Sequence, residues 1–329
     1  MLLSKAEAKR RYDKRIAGAR DNKIYIGPEI VSLRIGNSCN LSCKFCWIHS
    51  PGNPSRLAPP STLRMQKIHE VIRDSVELEA DQIHIIANGE PSLHPDFRQI
   101  MRDLEAQPIK TKLLTNATFP PDYCKDVIRA DHVLIDLSAV DKEHYIEVQG
   151  KDLFERVTGN IKRLVALRDS EKPSFRIEIA YIVNSLNVDH KQQMLDLAKE
   201  LGVPSVDFKM MNEHPDNKKV ALSGVFDLGG SSGNKKTPPV CLNGWFYMGV
   251  SEDVATECCL IPQMGLGALS KDTLKDIWHS PRAMKMRLLG KYGHIQKMYS
   301  ACQTCSFYDQ NIQRQEAMEH AQQKQKAAA

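Results

Sequence analysis

Apolar positions along the chain switch between two periods. Residues 30–35, "IVSLRI", alternate apolar and polar side chains and predict a strand. Residues 63–79 place Leu63, Met65, Ile68, Val71, Ile72 and Val76 at helical spacing. The alternation continues with a strand at 82–87, a helix at 95–106, a strand at 110–115, a short helix at 120–129 and a strand at 132–137. Leu153, Phe154, Val157, Ile161, Leu164 and Val165 mark a long helix at 152–168, followed by the strand 175–183, "FRIEIAYIV". A helix at 189–201 stops at Gly202, and 205–210, "SVDFKM", is the sixth strand. Ahead of all this, residues 4–20 read as a basic surface helix.

Strand and helix alternating with short loops predict a parallel sheet with helical crossovers. Six such units are fewer than the eight of a closed barrel, so the expected fold is α/β, an open partial (β/α)6 barrel over residues 30–212. Ligands of such sheets bind at the carboxyl ends of the strands. Residues 213–240, with "GGSSGNKKTPP", read as a linker. A small α+β domain is expected over 241–308, with a hairpin from "WFYMGV" and "VATECCL" turning at "SED", then helices interrupted at Pro281. Residues 1–29 form an N-terminal extension and 309–329 a polar, Gln-rich tail or frayed helix.

Charge narrows the function classes. Of the net +5, the first 22 residues carry +4, with seven Lys/Arg against three Asp/Glu. The remainder is nearly neutral, which disfavours a broad nucleic-acid surface. No apolar run approaches the roughly 20 residues that span a bilayer, and the N-terminus lacks an apolar signal core, so a cytoplasmic protein is expected.

Nine cysteines change the picture further. An odd number argues against a pure disulfide framework, and clustered cysteines in a reducing compartment are more often metal ligands. Cys39, Cys43 and Cys46 lie on one loop directly after the first strand, as C-x3-C-x2-C. Zinc completed by His49 is one reading; it wants four protein ligands. A four-iron cluster is the other, with three thiolates leaving one iron open to a small molecule. Cys241, Cys258 or Cys259, Cys302 and Cys305 form a second set, open to a zinc ribbon or another cluster, and the lone Cys124 reads as a small buried hydrophobe.

With Cys39, Cys43, Phe45 and Cys46 in the arrangement C-x3-C-x-aromatic-C, the chain resembles the radical S-adenosylmethionine (radical SAM) superfamily. The resemblance runs over residues 30–210. It implies a [4Fe-4S] cluster held by the three cysteines and by S-adenosylmethionine, with Phe45 on the adenine side. "NGEP", residues 88–91, is similar to the family's Gly-Gly-Glu-Pro, with Asn88 for the first Gly. Gly89, Glu90 and Pro91 would then meet the methionine amino group, a carboxylate being suited to an ammonium. "LLTNAT" resembles Thr-Asn-Gly with Ala117 for Gly, leaving Asn116 toward cofactor or substrate. Asp136 and Ser138 would contact the ribose hydroxyls; Asn184 and Asn187 end the fifth strand in the family's manner. Lys209 and Asn212 end the sixth, where a solvated lysine is the plainer alternative.

The second cysteine set resembles the twitch domain, a shortened SPASM domain, through Cys241, Trp245, Cys258-Cys259, Ile277-Trp278 and Cys302-x2-Cys305. This implies one auxiliary [4Fe-4S] cluster. Asp253 at the hairpin turn points to Cys258 as the ligand, and a one-residue slip points to Cys259. The resemblance implies cleavage of S-adenosylmethionine to a 5'-deoxyadenosyl radical and hydrogen abstraction, with an electron supplied by a flavodoxin or ferredoxin. Oxidation of a small molecule such as a sugar or cyclitol is the expectation; peptide or protein modification, including epimerisation, is the alternative. A zinc-bearing nucleic-acid or protein binding module is the alternative from another class. No catalytic acid or base is identifiable, Glu213, His214 and Asp216 being candidates within the linker.

Overall fold

A computed structural model describes residues 4–46, 48–51, 59–210, 239–252, 254–256, 265–298, 302 and 308–328, without the side chains of residues 210, 256 and 324–328. Its spine is a nine-stranded sheet. Strands β1 (Ile30–Arg34), β2 (Gln82–Ile86), β3 (Lys110–Thr115), β4 (His132–Asp136), β5 (Arg176–Val183) and β6 (Val206–Met210) are parallel and pair in sequence order. Each crossover carries a helix: α2 (Met65–Glu77), α3 (Phe97–Glu105), α4 (Cys124–Val127), α5 (Lys142–Gln149) with α6 (Phe154–Glu171), and α7 (Lys191–Glu200), while α1 (Lys5–Asp21) precedes β1. The six predicted strands and their open partial barrel are present.

One face of the parallel sheet is apolar and the other is not. Val31, Leu33, Ile83, Ile85, Leu113, Val133 and Ile135 are buried together with Ile68, Val71 and Ile72 of α2 and Phe97, Ile100, Met101 and Leu104 of α3. At 3.6 residues per turn these helical positions form single stripes. The intervening strand positions carry Ser32, Arg34, His84, Lys112, His132, Asp136 and Lys209. Period-two alternation puts all of them on the opposite, inner face of the sheet.

The C-terminal segment extends this sheet instead of standing apart. Strand β7 (Tyr247–Ser251) pairs parallel to β1, and β8 (Val254–Thr256) and β9 (Gly265–Ala268) follow antiparallel. The expected hairpin is therefore there, its turn carrying Glu252 at φ 54°. Helices α8 (Leu274–His279) and α9 (Pro281–Lys291) meet at Ser280, with Pro281 opening the second, the position where proline's missing N–H is harmless. Thr273 and Asp276 form a reciprocal cap on α8. Asp74 of α2 accepts the Leu274 amide at 2.9 Å and ties that helix to the barrel.

Both terminal helices that the sequence allows are present, and each is docked on the fold. Helix α1 is no free basic surface element: Arg15 is 1% exposed, and it donates to the Gly27 and Pro28 carbonyls and to both Asp81 oxygens. Arg11 reaches the same loop. The net positive charge of this segment is thus partly internal. Residues 308–328 are not a loose tail but helix α10 (Tyr308–Ala328), packed on α1. Asn311 accepts the Leu242 amide, Arg314 lies over the Phe246 ring, and Met318 is buried with Ile16 and Trp245. Among the described residues, no helix is long and apolar enough to cross a membrane. The linker 213–240 lies outside the described residues except for 239 and 240.

Candidate active site at the three-cysteine loop

The cysteine loop leaves β1 at its carboxyl end and is held there from three sides. The first tie is the end of β2. The Asn88 amide donates to the Gly36 carbonyl, and the Glu90 amide donates to the Ser38 carbonyl, each at 2.8 Å. Pairing thus continues past the strands, and "NGEP" becomes the rail along which the loop runs. Gly89 makes this approach feasible. A Cβ there would sit 2.0 Å from the Ser38 oxygen and 2.4 Å from its carbonyl carbon. The requirement is for close backbone approach.

The second tie is the end of β3. Asn40, between the first two cysteines, accepts from the Asn116 amide nitrogen at 3.2 Å and donates to the Thr118 hydroxyl at 2.8 Å. Asn116 in turn accepts the Thr118 amide at 3.0 Å. Ala117 between them adopts φ 56° and is fully buried. The third tie is the carboxyl end of α5. The Lys44 amide donates to the Val148 carbonyl (2.9 Å) and the Ser42 amide to that of Gln149 (3.4 Å).

Glu90 is 3% exposed and locks these parts together. Its carboxylate accepts the Ser92 amide (3.1 Å), the Thr115 hydroxyl (2.7 Å) and the Asn116 amide (2.7 Å). Burial pushes its pKa above the ordinary carboxyl range, while these donors pull it back. With three of about four lone-pair sites engaged, it retains room for one further donor. Pro91 follows at the first position of the short turn Pro91–Leu93 that Glu90 caps.

The three thiols are protonated when no metal is bound. Burial pushes Cys39 up to about 12, assisted by the negative charges of Glu90, Cys46 and Asp136. Cys43 and Cys46 rise for the same main reason. Loading a metal must therefore release protons. Among the described residues, no three His, Cys, Asp or Glu side chains converge closely enough to hold a single ion. A cubane places each thiolate on a different iron and needs no such convergence. His49, the fourth ligand of the zinc reading, has its Nε2 2.6 Å from the Asn88 carbonyl. Its backbone amide instead donates to the Cys46 sulfur at 3.2 Å. The residues thus fit a cluster: three soft donors on one rigid loop, with polar strand ends beside them. Phe45 is half-buried and packs on the main core, as do Cys39 and Cys46.

Asp136, half-buried at the end of β4, accepts the Ser138 hydroxyl at 2.9 Å. Burial raises its pKa to about 6, against the pull of that hydroxyl and of Lys209. Ser138 also accepts the Ile182 amide through its hydroxyl and the Asn187 side chain through its carbonyl. Asn184 and Asn187 shape the turn after β5: Asn184 accepts the Leu186 amide and donates to the Ile182 carbonyl, and Asn187 accepts the Asn184 amide. Lys209 pairs with Asp207 at 3.1 Å on β6.

The structure therefore brings Cys39, Cys43, Cys46, Gly89, Glu90, Pro91, Asn116 and Asp136 to one sheet edge. It engages Ser138 and Asn184 mainly with neighbouring backbone. Asn40, Thr118 and Gln149, which the sequence reading did not single out, also build the site. Asn40 had a visible signal, its position between two cysteines, and Thr118 closes the "LLTNAT" stretch; Gln149 depends on the docking of α5. In the second cysteine set, the Cys241 amide donates to the Gly290 carbonyl at 2.9 Å, and Cys302 is half-buried. Cys258, Cys259 and Cys305 lie outside the described residues, as do Asn212, Glu213, His214, Asp216 and Asp253. Cys124 is buried beneath α6, as a small hydrophobe would be.

Comparison with known proteins follows the same division. The radical SAM superfamily matches residues 33–170, and SPASM, an iron-sulfur cluster-binding domain, matches residues 241–306. A "Probable GTP 3',8-cyclase" of Sulfurisphaera tokodaii is 25% identical over 194 residues, which are 57% of this chain and 58% of that protein. The chain thus spans less than two thirds of that relative's length. Among solved structures, Streptococcus suis SuiB bound to S-adenosylmethionine aligns with a TM-score of 0.62 at 15% identity, covering 93% of this chain and 77% of SuiB. SuiB has also been solved with its precursor peptide SuiA, aligning at 0.60 over 94% of this chain and 76% of that one, at 15% identity. BtrN in complex with AdoMet and 2-DOIA aligns at 0.50 with 13% identity, covering 85% of this chain and 93% of BtrN.

Proposed function

We propose that this chain, which belongs to the radical SAM superfamily and carries a SPASM domain behind the barrel, oxidises a small molecule by hydrogen abstraction. Its two domains imply a [4Fe-4S] cluster that binds S-adenosylmethionine and an auxiliary iron-sulfur cluster. Bound together, the first cluster and S-adenosylmethionine supply one-electron cleavage to methionine and a 5'-deoxyadenosyl radical that takes a hydrogen atom from an unactivated C–H bond.

The chain's own residues hold and shield that chemistry. Cys39, Cys43 and Cys46 bind the cluster and leave one iron open. The Gly89–Pro91 rail and Glu90 receive the methionine ammonium. Phe45 packs on the adenine side, Asp136 and Ser138 face the ribose, and Asn116 and Asn184 line the opposite strand ends. Cys241, Cys302, Cys305 and Cys258 or Cys259 enclose the auxiliary cluster. Held by those cysteines, the auxiliary cluster would supply a one-electron acceptor, the chemistry that a two-electron oxidation of the substrate would need after hydrogen abstraction. A flavodoxin or ferredoxin supplies the electron that starts the cycle. The protein contributes positioning and exclusion of side reactions.

The observation that carries this reading is the continuous hydrogen bonding between the cysteine loop and "NGEP", with no space for a Cβ at residue 89. It supports a three-thiolate site that faces a carboxylate-bearing strand end. A fold shared with BtrN bound to 2-DOIA supports a small substrate. A second reading, peptide modification, draws on the higher TM-score of SuiB with its precursor peptide.

The test is isotopic. Reduced, cluster-loaded protein is incubated with S-adenosylmethionine and panels of deuterated sugars and cyclitols, nucleoside triphosphates and peptides. Deuterium is expected in 5'-deoxyadenosine, with a two-electron oxidised product, from a member of the first panel. Transfer from peptides alone would replace this reading with the second, and transfer from triphosphates alone would align the chain with its cyclase relatives.

A further inference from the structure

We propose that the inner face of the parallel sheet holds an oxyanion subsite centred on Lys112, with His84 beside it, and that the substrate is a small molecule carrying a phosphate or carboxylate group seated there. The inference rests on the functional reading above and narrows the substrate class of that reading, through residues outside every motif it uses.

One register row crosses the inner face of four adjacent strands and is polar throughout. Ser32 of β1 opposes His84 of β2, His84 opposes Lys112 of β3, and Lys112 opposes His132 of β4. Neighbouring strands run about 4.8 Å apart, so these side chains stand next to one another. The interior of a closed barrel is ordinarily filled by branched apolar side chains. Here every second residue of β2 and β3, His84 and Lys112 included, keeps partial exposure, whereas the residues between them are buried. The lumen of the open barrel therefore admits a small molecule. Lys112 lies three residues before Thr115, whose hydroxyl holds Glu90, which sets the row about 10 Å along the strand from that carboxylate's anchor. This depth suits a substrate whose reacting carbon lies at the strand ends and whose charged group reaches down into the lumen.

The carboxylates of this face are already engaged. Glu178 lies 3.2 Å from His132 Nε2 and accepts the Ser205 hydroxyl at 3.0 Å. Asp207 pairs with Lys209 at 3.1 Å, and Asp136 accepts the Ser138 hydroxyl at 2.9 Å. Lys112 is half-buried and, among the described residues, has neither an ion pair nor a hydrogen bond. Beside it, His84 Nε2 is buried with no hydrogen-bond partner. Charges drawn into a protein interior are ordinarily paired. An oxyanion supplies the missing partner: lysine binds phosphate and carboxylate as a point charge, and a neutral imidazole adds one N–H. The electrostatics agree with this geometry. Burial lowers the Lys112 pKa, and the positive charge of Lys209 adds to the effect. Burial and then the charge of Lys112 bring His84 down to about 3, so its ring is neutral. An oxyanion on the row offsets the positive charge in both cases.

The experiment is a protection measurement on the wild-type holoenzyme. The protein is treated with an amine-acetylating ester in chloride, inorganic phosphate or acetate at equal pH and ionic strength, and acetylation is followed residue by residue by mass spectrometry. Acetylation of Lys112 should slow several-fold in phosphate or in acetate, while the exposed Lys199 reacts equally in all three. Protection by phosphate assigns a phosphoryl group and protection by acetate alone a carboxylate; protection by neither overturns the proposal. The second readout compares deuterated hexoses with their phosphate esters and uronic acids. Deuterium transfer to 5'-deoxyadenosine is expected from charged members and not from the neutral parents. Lys112→Met should raise KM for the charged member about 10- to 100-fold with a smaller change in kcat, and Lys112→Arg should recover most of that loss. Equal turnover of the neutral parents, or an unchanged KM in Lys112→Met, also overturns the proposal. Protection of Lys112 without deuterium transfer from any substrate leaves the oxyanion subsite standing and removes the functional reading instead.

Discussion

Replacing Gly89 by alanine should damage the cysteine loop without touching a cysteine. The added methyl would lie 2.0 Å from the Ser38 oxygen, 2.4 Å from the Ser38 carbonyl carbon and 3.0 Å from the Asn37 oxygen. All three are backbone atoms, so no side chain can rotate away. Separation to the shortest contact that real Cβ atoms make, 3.0 Å, needs a displacement of about 1 Å in the residue next to Cys39. Overpacking of this kind costs about 1–3 kcal/mol. Loss of the Glu90 amide bond to Ser38 adds roughly 0.5–1.5 kcal/mol, giving about 2–4 kcal/mol in all. A misplacement near 1 Å at a reacting centre lowers rates by on the order of 100-fold. The assay pairs iron and sulfide content after anaerobic reconstitution with the initial rate of 5'-deoxyadenosine formation. Gly89→Ala should lose cluster occupancy at the three-cysteine site, or retain it and form 5'-deoxyadenosine about 100-fold more slowly. Wild-type occupancy together with a wild-type rate would refute the argument that this backbone contact positions the site.

Arg15→Met should destabilise the protein by about 3–5 kcal/mol, because it leaves Asp81 without its bidentate partner in a largely buried setting. A urea midpoint equivalent to less than about 1 kcal/mol would show that α1 is held by packing alone. Ala117→Gly should be neutral or slightly stabilising in thermal melts. The left-handed φ of 56° penalises alanine by roughly 1–2 kcal/mol, and glycine's extra chain entropy returns about 0.5–1. A loss near 1 kcal/mol or more would mean that the alanine methyl packs better than its backbone suits it. Asp136 gives a pH signature in cluster-free protein. Its folded pKa of about 6 exceeds the ordinary 3.8, so the folded state binds the proton more tightly. The stability this group contributes is complete below about pH 4 and is lost as pH rises through 6. Asp136→Asn should remove that decline from urea midpoints measured across the window, and an identical slope in both proteins would contradict the assignment.

Much of the barrel was legible because parallel strands and amphipathic helices announce themselves by period. Residues 30–35, 82–87 and 132–137 became β1, β2 and β4 within a residue or so. Helix α5 was not anticipated, although Asp141 caps it and Gly150 ends it in the left-handed conformation. Its polar stretch "KEHYIEVQ" buries only part of a face, against the cysteine loop, and such long-range docking leaves no local period. The parallel addition of β7 to β1 was likewise invisible, since pairing across more than 200 residues depends on topology. The basic N-terminus misled for an instructive reason: charge count cannot distinguish a solvated arginine from Arg15, whose partner Asp81 is 66 residues away. At the site, the cysteines and "NGEP" were evident from spacing. Thr118 and Gln149 were not, because they act through partners in other loops.

The three-cysteine loop, loaded with iron and sulfide, is expected to cleave S-adenosylmethionine. Protein reconstituted anaerobically and reduced with dithionite should convert S-adenosylmethionine to 5'-deoxyadenosine and methionine in equal amounts, detected by mass spectrometry. Cys39→Ala, Cys43→Ala and Cys46→Ala should each abolish both products, whereas Cys124→Ala should leave them unchanged. Iron-replete protein that forms neither product, or a Cys43→Ala variant that forms both at the wild-type rate, would contradict the claim.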